Sequence, residues 1–124
     1  MIVGIGVDVV DLGRFERAAD RTPAVLARLF ADSELRDGDR RLGLRSLAAR
    51  FAAKEALIKA LGDSEGVRWH DMAVVSDGER NPSFEVKNGL AEIVAARGIT
   101  AIHLSMSHDA GVAIAYVIAE SGSP

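Results

Sequence analysis

Residues 42–61 constrain the fold of this chain more than any other stretch, because their composition leaves one conformation open. Alanine and leucine dominate, joined by lysine, glutamate and arginine, and these are strong helix formers. Gly62 follows at once, in the place where a left-handed residue ends a helix. Phe51 and Ile58 lie near Glu55 and Lys59 on this helix, so Glu55 does not stand on a freely solvated face. Such a helix needs a layer to pack against.

The other elements supply that layer. Residues 2–10 are β-branched and glycine-rich and read as a buried strand. A period of two puts Val3, Ile5, Val7 and Val9 on one face, with Ile2, Gly4, Gly6, Asp8 and Val10 on the other. From Asp11, a plausible N-cap, Leu12, Phe15, Ala18 and Ala19 follow helical spacing. Thr22 and Pro23 restart a helix carrying Val25, Leu26, Leu29 and Phe30. Asp32 or Ser33 caps a short turn before the polar residues 36–41. Residues 63–71 form a polar loop, and residues 72–76 and 83–86 two strands joined by a turn at 77–82. Asn88 is placed to cap a helix through Ala96. Residues 99–106 and 112–119 close the chain as a hairpin around residues 108–111, and residues 121–124 are expected to fray. This order predicts an α+β fold, a mainly antiparallel sheet packed with helices.

At 124 residues the chain fits a single domain, residues 1–124. A formal charge of −3 gives no global reason to expect nucleic-acid binding. The absence of cysteine removes disulfides, thiolate zinc sites and a cysteine nucleophile. No apolar run is long enough to span a bilayer. Residues 1–8 lack a basic leader and a cleavage site, so they are expected to belong to the fold and the chain to be cytoplasmic.

Three clusters hold residues suited to chemistry. Asp8 is a lone carboxylate in an apolar strand, where burial without a partner is costly. It either caps the next helix, pairs with an arginine, or serves a site. Glu55 and Lys59 stand four apart, which suits a surface ion pair as well as a functional one. If the first strand packs on the long helix, Asp8 and Glu55 converge, and two carboxylates with open positions suit Mg²⁺. His70, His103 and His108 show no zinc-ligand spacing. Alternation then places His103, Ser105 and Ser107 on one face of the strand at 99–106 and beyond, a stripe that either meets solvent or binds phosphate or ribose. Arg14, Arg17, Arg21 and Arg28 fall at helical spacings, as a solvated basic face or as a docking patch for an acidic partner.

Taken together, Gly4-Ile5-Gly6-Val7-Asp8-Val9-Val10, Arg14-Phe15, the run Arg50-Phe51-Ala52-Ala53-Lys54-Glu55-Ala56-Leu57-Ile58-Lys59-Ala60 and His103-Leu104-Ser105-Met106-Ser107-His108 resemble the holo-acyl-carrier-protein synthases, the small phosphopantetheinyl transferases. The resemblance covers nearly the whole chain. It implies the phosphopantetheinyl transferase fold and transfer of 4′-phosphopantetheine from coenzyme A to a serine of apo acyl carrier protein, in fatty acid biosynthesis. It implies Asp8 and Glu55 as Mg²⁺ ligands, Lys59 on the diphosphate, and Arg50 and His103, with Ser107, around the adenosine phosphates. Glu55 and Lys59 become the catalytic residues, and Arg14, Arg17 and Arg21 the carrier-binding ones. The serine proton passes either to Glu55 or to a water on the ion. A homotrimer with sites between subunits is implied as well. The chain departs from the family pattern at residues 63–66, usually richer in glycine, and at 78–82, where a glycine two before the proline is common. A nucleotide-binding module without turnover and an assembly domain of a larger synthase are the competing readings.

Overall fold

The computed structural model describes residues 1–79 and 81–122. Arg80 of the turn at 77–82, and Ser123 and Pro124 of the expected frayed end, lie outside the described residues. A strand β1 (Ile2–Asp11) leads into helices α1 (Leu12–Arg21) and α2 (Ala24–Leu29), then a 3-10 turn (Asp32–Leu35). Two short strands, β2 (Arg36–Asp37) and β3 (Arg40–Arg41), precede the long helix α3 (Leu44–Leu61). A second 3-10 turn (Trp69–Asp71) opens the hairpin β4 (Met72–Ser76) and β5 (Pro82–Val86), followed by α4 (Asn88–Ala96) and the hairpin β6 (Ile99–Asp109) and β7 (Val112–Ser121). The fold is α+β, as the order of elements predicts.

One antiparallel sheet, in the order β1-β7-β6, carries α3 on one face. Its register pairs Gly4 with Ala119, Gly6 with Val117 and Asp8 with Ala115. The inner surface is therefore built from small residues, and Ala113, Ala115, Val117 and Ala119 are fully buried. Opposite them α3 presents Ala52, Ala53, Ala56 and Ala60, so helix and sheet approach closely. A methyl group added at Gly6 would sit 1.9 Å from the Ala56 carbonyl oxygen, and one at Gly4 the same distance from that of Ala60. A second cluster, Phe15, Leu29, Phe30, Leu47 and Ala48, seats α1 and α2 against the start of α3. Gly62 ends α3 at φ +98°, as its position predicts.

Four local expectations are corrected. The strand at 2–10 is buried on one face only: the glycine and Asp8 side packs on α3, while Val3, Ile5, Val7 and Val9 face outward, between 42% and 57% exposed. Asn88 does not cap α4. It takes φ +51° and donates to the Asp71 carboxylate at 3.1 Å, because that buried acid needs a donor more than the helix end does. The polar residues 36–41 form the β2–β3 ladder. Ser121 does not fray but exchanges backbone hydrogen bonds with Met1, each 2.8 Å long.

Candidate active site

The close approach of β1 and α3 brings Asp8 and Glu55 to one cavity of about 410 Å³. Asp8 is carried there by strand alternation, on the glycine side of β1. Glu55 comes from the middle of α3, next to Ala56, whose carbonyl faces Gly6. The Lys59 ammonium donates to Asp8 Oδ1 at 3.0 Å and to the Val7 carbonyl at 3.1 Å. Lys59 is half-exposed, so this ion pair is worth about 1 kcal/mol at most. Partial burial pushes the Glu55 carboxyl above its ordinary value, and the nearby Asp8 charge adds to the rise, against the pull of Lys59. The cavity wall away from the carboxylates is apolar: Phe15, Val25, Leu29 and Phe51. Arg14 stands at its rim on α1, whose N-cap is Asp11, accepting from the Arg14 amide at 2.9 Å.

Asp8 and Glu55 are a pair, and among the described residues no three His, Asp or Glu side chains gather to cage an ion. A carboxylate pair beside an open cavity fits Mg²⁺, which keeps several waters and takes its remaining ligands from substrate phosphates. It does not fit a structural zinc site.

Arg50 lies one turn before Lys54 on α3 and opens onto a second cavity, of about 220 Å³, with Arg45, Ser46, Ser107 and His108. Among the described residues its buried Nε has no hydrogen-bond partner. Burial lowers the pKa of the guanidinium, opposed by the Glu34 and Asp37 charges. Ser107 thus lines the same cavity as Arg50. His103 does not: it faces outward from β6, with Nε2 2.9 Å from Glu120 Oε1, and that bond holds the Glu120 carboxyl below the usual range. His108 stands beside Arg50 instead. The sequence places His108 only in the turn at 108–111, and it is the family resemblance, not the period of the strand, that implies His103. Arg14, Arg17 and Arg21 are all exposed on α1.

The family model described as "ACPS: 4'-phosphopantetheinyl transferase superfamily" matches residues 4–117 of the chain. A curated relative, the holo-[acyl-carrier-protein] synthase of Leifsonia xyli subsp. xyli, is 61% identical over 99% of this chain and 100% of its own length. The chain belongs to the holo-[acyl-carrier-protein] synthase family. Members of this family are transferases, and so is this chain. The crystal structure of the Neisseria meningitidis synthase superposes with a TM-score of 0.90 at 33% identity, covering 98% of this chain and 100% of that one. The Bacillus anthracis synthase, solved in complex with CoA (3',5'-ADP), gives a TM-score of 0.80 at 31% identity, covering 98% of this chain and 99% of that one. The α+β arrangement of antiparallel strands against helices is the phosphopantetheinyl transferase fold. Among the described residues no helix is long and apolar enough to cross a membrane.

Proposed function

We propose that this chain acts as one domain that, in fatty acid biosynthesis, transfers 4′-phosphopantetheine from coenzyme A to a serine of apo acyl carrier protein, with Mg²⁺, and releases adenosine 3′,5′-bisphosphate. The observation that carries this reading is the meeting of Asp8 and Glu55, from two different elements, at one cavity with Lys59 alongside. The coenzyme named in the Bacillus anthracis complex supports the donor.

Asp8 and Glu55 would hold Mg²⁺, which when bound neutralises charge on the diphosphate and orients it. Lys59 adds a fixed positive charge on the leaving side. Arg50, with Arg45, Ser107 and His108, forms a cationic and hydroxyl-bearing pocket for the adenosine phosphates, and the unpartnered Arg50 Nε is a donor in wait for one. In the assembly His103 would face a neighbouring copy rather than its own cavity. The carrier serine hydroxyl attacks the β-phosphorus in line, and the bisphosphate departs opposite. The serine proton passes to Glu55 or to a water beside it. Arg14, Arg17 and Arg21 steer the acidic carrier onto α1, and the apolar wall excludes water beside the reacting groups.

The outward sheet face supports the homotrimer. Val3, Ile5, Val7 and Val9 stand beside Ile114 and Tyr116, which are 37% and 48% exposed, and a continuous apolar patch of this kind marks an association surface.

Incubation with apo acyl carrier protein, coenzyme A and Mg²⁺ tests the reading by mass spectrometry. One phosphopantetheine added to the carrier serine is the expected result, lost in Asp8→Ala and in Glu55→Ala while both remain folded. No mass gain with the unsubstituted chain, or full activity in either variant at limiting Mg²⁺, would reject it.

A further inference from the structure

Lys54 neighbours Glu55 in sequence but turns inward, and its side chain is wholly buried. Its ammonium donates to the Leu29 carbonyl at 2.7 Å, the Trp69 carbonyl at 3.1 Å and Glu34 Oε1 at 2.6 Å. All three of its protons are used. Glu34 is buried too, and accepts from the Ala31 amide at 3.0 Å and the Val74 amide at 3.2 Å. The pair therefore ties the end of α2, both 3-10 turns and β4 to the middle of α3.

A buried ion pair is poor evidence of a stabilising role, since apolar residues of like volume often serve as well. What this pair does fix is the place of particular side chains. Leu29 lines the cavity that holds Asp8 and Glu55. The Trp69 ring packs on Phe51 with centroids 5.7 Å apart, and Phe51 on Phe15 at 5.8 Å. The two carbonyls that Lys54 grips thus belong to residues that set the apolar wall. The second cavity is different: Lys54 makes no hydrogen bond to Arg45, Ser46, Arg50, Ser107 or His108, and only the Glu34 charge reaches it, at Arg50.

We propose that Lys54 and Glu34 are positioning residues for the carrier-protein side of the site, holding Leu29, Phe51 and Phe15 in place beside Asp8 and Glu55. This inference rests on the transferase reading. A methionine at position 54 would fill the space but leave the Leu29 and Trp69 carbonyls unheld. The α2 wall would then shift while the Arg50 pocket kept its shape.

The test is steady-state kinetics on Lys54→Met and on the double variant Lys54→Met with Glu34→Gln, at a temperature where circular dichroism shows both folded. Should the single variant fail to fold, the double variant carries the comparison, its coenzyme A KM measured against Glu34→Gln alone because the Glu34 charge also acts on Arg50. The expected result is a KM for the carrier protein raised at least tenfold, with the KM for coenzyme A within twofold of the parent. Trp69 is the only tryptophan, so its fluorescence reports the same release as a red shift and greater quenching by acrylamide. A carrier KM within twofold, or both KM values raised in parallel, would overturn the proposal. No transfer by the unsubstituted chain would instead overturn the transferase reading, and this inference with it.

Discussion

Glu55 stands between a carboxylate that disfavours its charge and an ammonium that favours it, in a partly desolvated place. Its folded pKa lies above the unfolded one, so the native state binds the proton more readily. The contribution of this group to stability therefore increases as pH falls through the raised value and is lost as pH rises through it. Glu55→Gln, which fixes a neutral side chain, is expected to leave the melting temperature at pH 7 unchanged or slightly higher while abolishing transfer, as calorimetry and the mass assay will show. The ionised form is the one chemistry needs. Carbon-13 NMR titration of Glu55 should find a midpoint above the ordinary glutamate range, moving down in Asp8→Asn and further up in Lys59→Met. Lys59→Met should also slow transfer ~100-fold, the size of effect seen when one preorganised donor to developing charge is removed.

The glycine face of β1 and the alanine face of α3 act as a unit, and the distance between them sets the distance between the two acids. Gly6→Ala would drive a methyl group against backbone, which cannot swing aside as a flexible side chain can. We expect a loss of about 3 kcal/mol or more in urea denaturation, larger than a typical overpacked site because the obstacle is a carbonyl. On α1, Phe15 and Ala19 are buried and the arginines exposed, so charge there can be reversed without touching the core. Arg14→Glu should raise the carrier KM roughly tenfold, about 1.4 kcal/mol, and leave coenzyme A binding nearly unchanged in isothermal titration. An equal loss for both substrates would reject α1 as the docking element.

For the whole molecule, the outward face of the β1-β7-β6 sheet stands out, because its apolar residues are exposed. Val7 pairs with Tyr116, which pairs in turn with Ser105, so the apolar part of the face covers β1 and β7 and gives way to polar residues on β6. Three copies that bury the apolar part against one another would account for it. Val7→Lys, in the middle of this surface, is expected to yield monomers in analytical ultracentrifugation with the circular dichroism of the parent. Trimers in that variant would reject the sheet face as the interface.

The sequence by itself determined the long helix, its stop at Gly62, both late hairpins, the Asp11 cap and the α+β class, because these rest on local propensity and period. It also singled out Asp8 as an acid out of place. Periodicity separated the two faces of β1 but not which was inner, since both are free of charge apart from Asp8; the helix backbone decided, accepting only the side with glycines. The same limit applies to the cavity that Arg50 and His108 line. Alternation ordered the side chains of β6, but only the packing of α3 showed which end of that strand meets Arg50. The Lys54–Glu34 pair joins residues 20 apart in sequence, and nothing in either residue's surroundings announces the other. Tertiary structure alone decided these meetings, because each depends on how closely one backbone can approach another.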